Sequence, residues 1–89
     1  MKRYLVKLTY TATESNQNFA GEVLNYYYGR NHFSTENPIH VNSMARHWGY
    51  TTKAAAIQGL KSHKSMAEAE AARGAWNCSC ELLEIELAE

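Results

Sequence analysis

The sequence predicts a small α+β domain: an antiparallel β-sheet of about three strands with helices packed on one face. Three observations predict it. Residues 3 to 13 alternate apolar and polar side chains with the period of a strand, and residues 76 to 87 do so again. Between them, residues 43 to 73 hold apolar residues at helical spacing, bounded by capping residues and glycines. At 89 residues there is room for one domain, 1 to 89, of modest stability.

In the first element, Tyr4, Val6, Leu8 and Tyr10 fall on one face, and Arg3, Lys7, Thr9 and Thr11 on the other. β-branched and aromatic residues dominate, as a half-buried strand requires. Leu5 is the one apolar residue out of phase. "ESNQN", residues 14 to 18, is a polar turn. Residues 19 to 29, "FAGEVLNYYYG", fit two readings. As a strand, Leu24, Tyr26 and Tyr28 share a face opposite Val23 and Tyr27. As a helix, Phe19, Ala20, Val23, Leu24 and Tyr27 form a stripe that Gly29 would end. Gly21 and three consecutive tyrosines weigh against the helix, and the nearby first strand favours a hairpin. Residues 30 to 42 hold the only proline and read as a loop with a short extended piece at 39 to 41.

Ser43 can cap a short helix over 44 to 48 that Gly49 ends. Thr51 or Thr52 can cap a second from Lys53 to about His63, with Ala56, Ile57 and Leu60 as its stripe. Ser65 and Glu68 have the spacing of a capping box, which starts a third helix or continues the second after a kink, and Gly74 is the stop. In the last strand Trp76, Cys78, Cys80 and Leu82 share a face. The apolar phase then moves to Leu83, Ile85 and Leu87, which predicts a β-bulge or burial on both sides.

The zero net charge hides a split. Residues 1 to 64 carry eight Lys/Arg and three Glu, a net of +5, while residues 65 to 89 carry Arg73 against six Glu, a net of −5. Glu68, Glu70, Glu81, Glu84 and Glu86 are therefore candidates for an acidic partner-binding face. Tyr27 and Tyr28 are candidates for aromatic anchors, since three consecutive tyrosines cannot all be buried on one side of a strand. The alternative assigns "NYYYGRNH" to stacking on nucleic acid, with Arg30, His32 and Lys53 at phosphates.

"SMARHWGYTTKAAAIQGL", residues 43 to 60, resembles a helix-turn-helix, with Ala45, Gly49, Tyr50, Thr51 and Ala55 in the motif's roles. The resemblance implies a DNA-binding module contacting through Arg46, Thr52, Lys53 and Gln58. It departs at Gln58, which should face inward but lies between Ile57 and Leu60.

No catalytic set stands out. There is no Asp, and no glycine loop of the phosphate-cradling kind. The histidines, His32, His40, His47 and His63, are scattered, and Cys78 and Cys80 form only a Cys-x-Cys pair, so no cofactor or metal is expected. The cysteines read as reduced and partly buried. No signal peptide or membrane span is legible, which predicts a cytoplasmic protein. In style the chain resembles the small accessory proteins of phages and mobile elements, among them anti-CRISPR and other anti-defence inhibitors. That resemblance implies a non-enzymatic protein that binds and blocks a larger protein, such as a nucleic-acid-binding effector, with self-association as a further option.

Overall fold

The computed structural model describes residues 1 to 88. Its elements are β1 (Lys2–Ala12), β2 (Val23–Tyr28), β3 (Ser34–Thr35), α1 (Val41–Trp48), α2 (Lys53–Ala71) and β4 (Trp76–Glu86), with 3₁₀ turns at Arg30–His32 and Pro38–His40. The strands form one antiparallel sheet in the order β3-β2-β1-β4. The architecture is α+β, as the two alternating segments and the capped middle predict, with a two-residue fourth strand inside the segment read as loop.

β1 pairs along its length with β4 and over Val6–Thr11 with β2, and it buries large aliphatic side chains on both faces. Val6, Leu8 and Tyr10 point to one side, where they join Tyr26, Tyr28, Cys78, Cys80, Leu60 and Ala67. Leu5, the residue out of phase, points to the other and meets Met44, Ala45 and Leu87. Leu5, Val6 and Leu8 are almost wholly buried.

The helices take opposite faces. α2 lies over the Val6 side, facing the sheet through Ala56, Leu60, His63 and Ala67 at helical spacing. α1 covers only the Leu5 end of the other side, through Val41, Met44, Ala45 and Trp48. The expectation of helices on one face therefore holds for α2 alone. A leucine flanked by two inward residues of opposite parity demands cover on both sides.

The same fact explains the phase shift in the last strand. β4 pairs with β1 without a bulge from Lys2↔Glu86 to Ala12↔Trp76. Leu82 faces α2 beside Val6, while Leu83 and Ile85 face α1 beside Leu5. Burial on both sides, the other option in the sequence, is what occurs.

The connection between the helices passes the edge of β1. Tyr50 and Tyr4 exchange two backbone hydrogen bonds of 2.9 Å, so Tyr50 occupies the place β2 would take if it continued. Gly29 ends β2 there, where a Cβ would run into the carbonyl oxygen of Trp48. α2 is one unbroken helix, capped by Thr52, whose hydroxyl accepts from the Ala55 amide at 3.2 Å. Ser65 and Glu68 lie inside it, because the alanine-rich sequence around them continues a helix better than it starts one. α1 starts at Val41, before Ser43, out of the 3₁₀ turn that Asn37 caps. Residues 19 to 21 are turn, and the strand reading holds for Val23–Tyr28.

Candidate functional site

β4 carries three of the five candidate carboxylates, and its pairing with β1 decides where they point. Glu84 and Glu86 share the α2 side with Leu82, and Glu81 projects from the opposite side with Leu83. Each meets a cation from β1 or its start. The Met1 amino group lies 3.2 Å from Glu86, Lys2 Nζ 2.9 Å from Glu84, and Lys7 Nζ 3.6 Å from Glu81. The Lys2 hydrogen bond holds the Glu84 carboxyl below its ordinary range and raises the Lys2 ammonium in return. Glu68 is exposed on α2, and Glu70 pairs with Arg73 at 3.4 Å. The five glutamates therefore form no single face, and the opposed charges of the two halves meet across one strand pair.

What β4 leaves open is its outer edge. Among the described residues no strand pairs with it, over all 11 residues of Trp76–Glu86. Its exposed side chains are Asn77, Ser79, Glu81, Glu84 and Glu86. It contains no Lys, Arg or Pro and no bulge.

The tyrosines divide as their alternation predicts. Tyr27 lies on the α1 side against the Leu5 cluster, with Lys7 Nζ 5.8 Å from its ring centre. Tyr28 lies on the α2 side, its ring against that of His63 at 4.4 Å and tilted by 36°. Both are half-buried parts of the core.

The segment 43 to 60 does not form a helix-turn-helix. In that motif the two helices pack on each other, and here they lie on opposite faces of the sheet. Arg46 donates to the carbonyl of Ala88 at 3.2 Å, Thr52 caps α2, and Lys53 and Gln58 are exposed. Gly59 rather than Gln58 faces inward, against the Tyr50 ring.

Cys78 and Cys80 are free, half-buried thiols under α2, and burial pushes both up from the ordinary thiol value. His63 and His32 lie together, ring centres 5.4 Å apart.

Sequence reasoning missed a pocket on the α2 side. It is an open pocket of about 440 Å³ lined by Tyr10, Leu24, Tyr26, Tyr28, Met66, Glu70 and Trp76. The Tyr10 ring stands nearly perpendicular to Tyr26 (84°, 5.6 Å) and to Trp76 (86°, 6.5 Å). Phe19, from the loop after β1, backs Trp76 at 5.7 Å. Burial raises the Tyr10 phenol to about 12, so it stays neutral. The parity of Tyr10, Tyr26 and Trp76 is legible in the sequence. The strand order that joins them, and the approach of Met66 and Glu70 from α2, are not.

Compared with family models, with curated proteins and with solved structures, the chain matches none. No helix among the described residues is long and apolar enough to cross a membrane.

Proposed function

We propose that the protein is a non-enzymatic binding protein that attaches to a larger protein, one to one, by adding its β4 edge to an extended basic segment of that partner. The uncovered edge of β4 carries this reading. Edge strands in native proteins are commonly short, bulged, or guarded by Lys or Pro, because open backbone groups recruit other strands. β4 is 11 residues long, unbulged and without Lys, Arg or Pro, and its charges are all carboxylates, which repel a second copy but not a basic strand. Backbone hydrogen bonds supply affinity in such strand addition, and side chains beside the edge supply selectivity.

The selectivity here is for positive charge. Glu81, Glu84 and Glu86 remain half or more exposed, at 59%, 50% and 66%. Their ion pairs with β1 are solvent-screened surface pairs, so a partner's Lys or Arg can replace them. Two copies of β4 laid edge to edge would instead bring like charges together. Nucleic-acid-binding effectors present basic surfaces of the needed kind, and occupying one would block it. Binding and blocking is also what the resemblance in style to phage and mobile-element inhibitors implies.

The test is capture of the partner from a host lysate, then surface plasmon resonance and hydrogen exchange on the purified complex. Glu84→Lys/Glu86→Lys should slow association about tenfold at low salt, with less effect at high salt. Outward amides of β4 should gain protection in the complex. A folded double variant with wild-type rate constants, and no new protection in β4, would remove the edge from the interface.

A further inference from the structure

The pocket on the α2 side does not belong to the β4 edge, and its chemistry points to a different ligand. Its lining is four aromatic rings, two aliphatic side chains and one carboxylate, with no cation among them. The rings set at right angles form adjoining walls rather than a stack, and Phe19 buttresses the outermost, Trp76. The volume suits a small head group rather than a whole chain segment.

We propose that this pocket binds a methylated ammonium group, with the rings of Tyr10, Tyr26 and Trp76 around the cation and the Glu70 carboxylate beside it. Aromatic faces are negative, and Trp and Tyr attract cations even at sites open to solvent, though less strongly than at dry ones. An anion would meet Glu70 and the ring faces. A neutral apolar ligand would fill the space but leave Glu70 beside it uncompensated. A bare ammonium keeps its water tightly and needs several acceptors, whereas a methylated one sheds water readily and needs none. Glu70 pairs at 3.4 Å with the exposed Arg73, just past the end of α2, a contact that a bound cation would compete with. The same chemistry occurs on choline-like small molecules and on methylated lysine in a peptide.

The indole N–H signal of Trp76 in a nitrogen–proton NMR spectrum reads the site directly. The Trp48 signal is the internal control, since its ring stacks on Phe33 at 3.8 Å in contact with the α1-side core. Titration with choline should shift Trp76 saturably and leave Trp48 in place. The uncharged dimethylbutanol analogue of choline should need about tenfold more ligand. Glu70→Gln should weaken choline binding several-fold, and Arg73→Ala should tighten it by freeing the carboxylate. Tyr26→Leu, which keeps apolar volume but removes a ring face, should weaken it without loss of fold. A peptide bearing trimethyl-lysine, run beside its unmodified form and beside choline, assigns the source of the cation by which binds tighter. No saturable shift at Trp76 with either cation, or equal binding of the uncharged analogue, would overturn the assignment.

Discussion

His63 is 2% exposed, and its Nδ1 has no hydrogen-bond partner. Its ring packs at a tilt against Tyr28 and meets His32 edge-on. Burial, and then the nearby His32, lower its pKa from the ordinary 6.5. The unfolded chain therefore holds a proton more readily than the folded one. The stability this histidine allows is fully present above pH 6.5 and is lost as pH falls below that value towards the folded pKa. Thermal midpoints should fall between pH 7 and pH 5, and His63→Leu should flatten that slope, as scanning calorimetry across the range would show. His63 occupies a regular place on the inward stripe of α2, so its position is legible in the sequence. Its burial is not, because a histidine at such a place reads as a polar surface residue until the flat Tyr28 ring is known to lie beneath it.

Thr52 shows how one side chain supports an element. Its hydroxyl satisfies the Ala55 amide at the start of a 19-residue helix. Thr52→Ala should cost about 1 kcal/mol of stability, measurable as a lower urea midpoint with an unchanged slope. Capping chemistry of this kind is written locally, so the start of α2 follows from the sequence. The alternation of β1 and β4 is equally local. The elements that sequence reasoning blurs owe their limits to distant contacts. β2 ends at Gly29 because the end of α1 lies against it. α1 begins early because Val41 reaches the Leu5 cluster. β3 is only Ser34–Thr35, held by pairing with Tyr27 and Tyr28, and two residues carry no periodicity to read.

At the scale of the molecule, the pairing of β1 with β4 joins the basic and acidic parts of the chain, so the charge split that suggests a docking face is largely an internal complement. The same pairing makes β1 central. A chain ending at residue 75 would leave β1 with Leu5, Val6 and Leu8 beside an open edge, and should be recovered as aggregate. Light scattering after expression, beside the full chain, would check it. There is also a consequence in time. β1 forms one of its two ladders with the most distant strand in the sequence, so loop closure must precede much of the reward for folding. Refolding should be slow for a domain of this length. During synthesis the first strand waits, half-partnered, until the last has left the ribosome, and that interval is when the nascent protein is most open to chaperones, to proteases and to copies of itself.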